Sequence, residues 1–178
     1  TLWLDRGAGD GAARLRETGW ADVVVKPAVS IGAVGALRAE ASDPACVAHL
    51  EALLVEGDAM VQPFVDSIAS EGEVSLVYFG GAFSHAIRKR PAVGDYRVQD
   101  IYGGTVQACT PAADELALAA AALAVTPAPT TYARVDLVRL SDGRPAVMEL
   151  ELIEPELFLG AAPEAAPRFA EVLRNYVG

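Results

Sequence analysis

The stretch from Tyr132 to Pro155 constrains the fold most: YARVDLVRL, then SDGRP, then AVMELELIEP. Both flanks are rich in β-branched and aliphatic residues, and Asp142-Gly143 between them is a strong hairpin signal. A two-residue loop there pairs Ser141 with Arg144. Counting back sets Asp136 opposite Glu149 and Arg134 opposite Glu151. Side chains alternate along a strand, so these four share one face. The alternate positions Val135, Leu137, Leu150 and Leu152 are apolar and mark the other face as buried. Opposed residues on one face bring their Cβ atoms to roughly 4.5–5.5 Å, where like charges repel. A divalent cation with oxygen ligands, Mg2+ with phosphates completing its shell, would relieve that repulsion. A solvated acidic face is the bland alternative, because Asp and Glu are mostly exposed. Aspartate's poor fit to a mid-strand position favours the metal.

The 178 residues suit one medium domain or two small lobes, with 52% hydrophobic and 21% charged residues in the globular range. A formal net charge of −10 argues against a nucleic-acid partner, which needs a basic footprint, yet leaves nucleotide binding open. The longest apolar run, Leu116 to Val125, is too short to span a bilayer, so no membrane is expected. Cys46 and Cys109 show no metal spacing and read as small buried hydrophobes in a reducing, cytoplasmic setting.

In chain order, a helix is expected over Asp10–Thr18 and a strand over Asp22–Lys26. Ser42 should cap a helix ahead of Pro44. Ala59–Val65 reads as a strand broken at Pro63. Glu73–Gly80 and Phe83–Arg88 should pair through Gly80-Gly81. Residues 91–105 form a long loop, and Thr110-Pro111 should cap a helix running to about Ala124. A last helix opens at Pro163, with Phe169, Val172, Leu173 and Tyr176 packing on the sheet.

Lys26 at a strand end could aim a compact positive charge at a phosphate, with Ser30, Gly32 and Gly35 offering backbone N–H groups beyond it. His85 to Arg90 is the one dense basic cluster in this acidic chain. Strand alternation puts Arg88 with Ala86 and Arg90, and Lys89 with His85 and Ile87. These cations suit a phosphate or a substrate carboxylate, unless they are a solvated strand end. Arg97 adds a donor from the long loop.

VVVKPAVS, MVQPFV, EGEVSLVYFGGAFSHAIRKRP, YRVQDIYGG, and YARVDLV with MELELIEP stand in the order of the ATP-grasp superfamily. The chain resembles its glutathione-synthetase-like and cycloserine-ligase-like branch from about Val23 to Leu159. The resemblance implies an α+β fold of two lobes, with mostly antiparallel sheets clasping ATP. It implies a small lobe over residues 21–62 and a large lobe with the metal site over 63–178. Residues 1–20 would connect to an amino-terminal domain outside this sequence.

In that family a carboxylate is activated as an acyl phosphate and attacked by an amine, here on a small amino-acid derivative. By the same resemblance Lys26 meets ATP phosphate, while the loop SIGAVGALR that carries Ser30 and Gly32 is poorer in glycine than the family's and lacks its usual basic residue. Gln62, Phe64 and Val65 meet adenine at the hinge, and Glu73 lies near the ribose. Arg88 and Arg97 are catalytic, and Asp136, Glu149 and Glu151 hold Mg2+, with Mn2+ as a substitute. Better-known relatives carry asparagine at the third metal position, where this chain has Glu151. The partners implied are small-molecule carboxylate and amine substrates, with a homodimer common among such relatives. A non-catalytic ATP- and Mg2+-binding module is the alternative, and a plain structural α+β domain the third.

Overall fold

In the computed structural model, which describes residues 1–30, 32–92, 94, 97 and 103–177, the chain divides into two units, Thr1–Phe64 and Val65–Gly178. The first holds β1 (Leu2–Leu4), α1 (Gly11–Glu17), β2 (Asp22–Pro27), β3 (Leu37–Glu40), α2 (Pro44–Glu56) and β4 (Ala59–Pro63). Its strands form an antiparallel sheet in the order β1-β4-β2-β3. Leu15 of α1 and Leu50 and Leu54 of α2 close on Leu4, Val23, Val25 and Val61. Fully burying one such side chain contributes about 1.5–3 kcal/mol. Residues 1–20, which the sequence suggests as a connector, supply β1 and α1 to this core. Asp43, not Ser42, caps α2: its backbone is extended and its carboxylate accepts from Ala45 N at 2.8 Å.

The second unit holds α3 (Ser67–Ser70), β5 (Glu73–Phe79), β6 (Ala82–Arg90), β7 (Thr105–Cys109), α4 (Ala113–Ala124), β8 (Tyr132–Arg139), β9 (Pro145–Glu151) and α5 (Ala165–Val177). Its five strands pair antiparallel in the order β7-β6-β5-β8-β9. Gly80 and Gly81 join β5 to β6 with φ of +57° and +79°, the two left-handed positions that a tight hairpin needs. Thr110-Pro111 does not cap α4. The helix begins after Ala112, whose N–H donates to the Glu115 carboxylate at 2.8 Å.

All seven residues of β5 are buried, because helices cover both faces of the sheet around it. One face, with Val74, Leu76, Ala133, Val135 and Leu137, packs under Leu116, Leu118 and Leu123 of α4. The opposite face carries two separate apolar clusters. Val77 and Phe79 meet Phe169 and Val172 of α5, with the Phe79 and Phe169 rings stacked at 4.8 Å. Val138 and Met148 meet Ile68 of α3. Leu173 and Tyr176 do not join the sheet as expected; they are 38% and 77% exposed. Cys46 is buried, whereas Cys109 is only half-buried on the edge strand β7. Among the described residues no helix is long and apolar enough to cross a membrane.

The acidic hairpin reaches its expected pairing by a different route. Leu140 N donates to Arg144 O at 2.9 Å, so the loop is Ser141-Asp142-Gly143, with Gly143 at φ +81°. Asp142-Gly143 alone is therefore not the turn. Near the loop Leu137 faces Val147, and continuing that register would set Asp136 opposite Met148. A bulge at Met148 absorbs one residue, after which Asp136 faces Glu149 and Arg134 faces Glu151. A one-residue slip exchanges the faces of a strand. Without the bulge, this loop would turn Glu149 and Glu151 toward α4.

Candidate functional site

On β8 the side chains of Tyr132, Arg134, Asp136 and Val138 follow one another along a single face. Tyr132 belongs to the α5 cluster and Val138 to the α3 cluster, so Arg134 and Asp136 lie between two apolar regions. Asp136 is fully buried, at 0% exposure. An isolated carboxylate there would be costly, and the sheet supplies cations from both sides. Arg134 Nε lies 3.0 Å from Asp136 Oδ1, and Arg134 Nη2 lies 3.0 Å from Oδ2. Lys89 Nζ on β6 donates to Asp136 Oδ2 at 2.9 Å and also pairs closely with Glu73 on β5. Arg134 Nη2 further contacts Glu151 and comes within 3.9 Å of Glu149 Oε2.

Asp136, Glu149 and Glu151 each offer a carboxylate oxygen, and these oxygens lie within 4.8 Å of one another. Asp136 is buried, Glu151 half-buried and Glu149 exposed, so the cluster grades from core to solvent. Three hard oxygen donors at this spacing fit a divalent cation such as Mg2+.

The charges respond to one another. Burial pushes the Asp136 carboxyl up, but Lys89 and Arg134 outweigh it and hold it below the ordinary carboxylate value. Glu73 goes the other way: burial first, then the neighbouring Asp136, raise it to about 7 despite Lys89. Burial also raises Glu151 against the opposing pull of Arg134, and Asp136 and Glu149 add to the rise. Burial would deprotonate Lys89, yet Glu73 and Asp136 raise it and keep it charged.

The chain after β9 covers this charge cluster. Arg134 Nη1 donates to Glu156 O at 3.2 Å, and the Phe158 ring lies 5.5 Å from the Arg134 guanidinium carbon and 6.0 Å from Lys89 Nζ. His85 Nε2 is 2.8 Å from Leu157 O, fixing the same segment. Glu154 and Phe158 have φ of +51° and +50°, a conformation bulky side chains rarely adopt.

The structure brings Glu73, Asp136, Glu149 and Glu151 together, but not Arg88. Arg88 pairs across the sheet with Val74, on the α4 face, and its Nη1 donates to Glu71 O at 3.0 Å. The cations beside the acids are Lys89 and Arg134, neither of which the sequence singled out as a site residue. Alternation already separated Lys89 from Arg88, and the Arg134–Glu151 register was visible. What was missing was which face of β6 meets β8's acids. Glu73, expected near a ribose, has its carboxylate held by Lys89. Arg97 stands in the loop between β6 and β7, where residues 93, 95, 96 and 98–102 lie outside the described ones.

In the first unit Lys26 pairs opposite Met60, next to Gln62 along β4. Gln62 Nε2 donates to Thr1 Oγ1 at 3.0 Å. Ser30 Oγ donates to Val34 O at 2.6 Å, which ties the loop to itself, and Gly32 has φ +60°. The Arg38 guanidinium lies 3.4 Å from the Phe64 ring centroid. Val65 packs instead beside the Ile68–Val138 cluster of the second unit.

Two antiparallel sheets, the five-stranded one ending in the acidic hairpin, define an ATP-grasp architecture. Residues 13–127 match the family model of the prokaryotic glutathione synthetase ATP-grasp domain, and the chain belongs to that family. It is 41% identical over 140 residues to the cycloserine biosynthesis protein DcsG of Streptomyces lavendulae, a match covering 70% of this chain and 44% of that protein. The crystal structure of D-cycloserine synthetase DcsG superposes with a TM-score of 0.87 and 32% identity, over 99% of this chain and 64% of that one. D-alanine–D-alanine ligase from Bacillus anthracis, complexed with ATP, shares the fold at a TM-score of 0.69 and 18% identity, over 97% of this chain and 56% of the other. The chain thus spans about half to two-thirds of the length of these relatives.

Proposed function

We propose that the chain carries the nucleotide- and metal-binding part of an ATP-dependent carboxylate–amine ligase acting on a small amino-acid derivative. The observation that carries this reading is the mixed cluster on β6, β8 and β9, three carboxylates interleaved with Lys89 and Arg134. The names of the relatives, a cycloserine synthetase and a D-alanine ligase, support the substrate class. Asp136, Glu149 and Glu151 would hold Mg2+, or Mn2+ in its place. When bound, such an ion would neutralise charge developing on the phosphate. Lys26 offers a cation to ATP phosphate, with backbone N–H groups at Ser30 and Gly32. Gln62, Phe64 and Val65 are assigned to adenine.

Phosphoryl transfer to the carboxylate forms an O–P bond and breaks the bond to the leaving ADP. The amine then attacks the acyl carbon and inorganic phosphate departs. Lys89 and Arg134, which face the acids, take the charge-neutralising role first given to Arg88 and screen the phosphate and acyl oxygens. Arg97 remains a candidate donor from its loop. The two substrates are small molecules, and a homodimer in the cytoplasm belongs to the same proposal.

Thermal unfolding with ATP, with Mg2+ and with both tests it. A ligand at a hundredfold its dissociation constant stabilises by about 2.7 kcal/mol. The expected outcome is a shift that needs both and disappears in Glu149→Gln. A shift with ATP that ignores Mg2+ and Glu149 would sink the metal assignment. Acceptor-dependent release of ADP would then separate a ligase from a binding module.

A further inference from the structure

Each of the three candidate metal ligands already faces a protein cation. Arg134 reaches both oxygens of Asp136, at 3.0 Å each, contacts Glu151, and stands 3.9 Å from Glu149 Oε2. Lys89 adds a 2.9 Å contact to Asp136 Oδ2. A guanidinium cannot shed its proton in a protein, so it can yield to a second cation only by moving. It has somewhere to go. Its Nη1 is already on Glu156 O at 3.2 Å, and the Phe158 ring lies 5.5 Å from its central carbon. A phosphate oxygen pair offers the guanidinium the same fork that Asp136 does.

We infer that Arg134 is a resident counter-cation: it neutralises the three carboxylates and opposes free divalent metal until nucleotide phosphates draw it, with Lys89, away from them. The inference rests on the proposed metal role of Asp136, Glu149 and Glu151. In this scheme metal and nucleotide bind with strong mutual dependence, and the source of that dependence is a cation exchange within β6, β8 and β9. Arg134 acts here through the carboxylates, as a positioning residue. A purely structural arginine behaves oppositely, since its loss would scatter the ligands and weaken metal binding.

The test is Mn2+ binding without nucleotide, followed by electron paramagnetic resonance on the full chain. Arg134→Met should bind Mn2+ about tenfold more tightly than the unaltered protein, a coupling of ordinary size. Lys89→Met, which leaves Arg134 in place, should show a smaller gain. Equal or weaker Mn2+ binding by both variants overturns the inference. Micromolar binding of Mn2+ alone by the unaltered protein overturns it too, and needs no variant to fold. Adding Glu149→Gln to Arg134→Met separates the two levels. If that change removes the Mn2+ signal, the metal assignment stands whatever Arg134 does. If the signal persists unchanged, the ion is elsewhere and the metal assignment fails with the inference.

Discussion

Two ion pairs of similar geometry show how differently the two units use charge. In the first, Arg38 meets Asp22 across β2 and β3 with contacts of 2.6 and 3.0 Å, and the side chains are 37% and 38% exposed. In the second, Arg134 meets Asp136 at 3.0 Å, and the side chains are 8% and 0% exposed. Water screens the first pair, and its loss leaves two solvated ions. The second pair has no such refuge: removing one member strands the other inside the sheet. Charge in the first unit decorates a core made of leucine and valine. Charge in the second unit is part of the core, which is where a site able to hold a metal and move a phosphoryl group would be built.

The largest effect expected from this contrast is at Asp136. Asp136→Ala leaves Lys89 and Arg134 buried without their shared partner and should cost about 3–5 kcal/mol in urea unfolding. A loss below one kcal/mol would show that water reaches the pair. Leu50→Ala should cost about 2–5 kcal/mol, because the first unit's stability lies in its apolar contacts with α2. A much smaller cost would mean that this core readily collapses around the gap.

Acidity offers a third probe. Glu73 is raised from 4.5 to about 7 in the fold, so the folded state holds its proton more tightly than the unfolded chain. Its contribution is therefore fully present below pH 4.5 and lost as pH rises to about 7. Replacing Glu73 with Gln should flatten that part of the stability profile, read as Tm against pH. An unchanged slope would place the titration elsewhere. Least of all, Asp22→Asn should change stability by about 1 kcal/mol or less, and less still in high salt.

Much of this was legible from local chemistry. Gly80-Gly81 announced a turn because only residues that tolerate positive φ fit it. The alternation in YARVDLV and MELELIEP sorted acids from leucines because a strand has a period of two. The ordered motifs resembled an ATP-grasp domain, and the fold bears that out. Helix starts were less secure. Asp43 and Glu115 supply the capping contacts, where Ser42 and Thr110, hydroxyl residues that favour the N-cap, were the ones expected.

The sequence by itself determined which residues could share a face of each strand, since alternation is a property of the backbone. It did not determine which faces meet. Lys89 and Asp136 are 47 residues apart, and only the pairing of β6 with β5 and of β5 with β8 brings them to 2.9 Å. The same holds for Arg88, one position away and turned to the other side of the sheet. Even the acidic pairing depended on a compensation, a longer loop corrected by a bulge at Met148. Burial decides the rest. Asp136 is held charged, and Glu73 pushed toward neutrality, by a field that exists only after three distant strands have assembled around them.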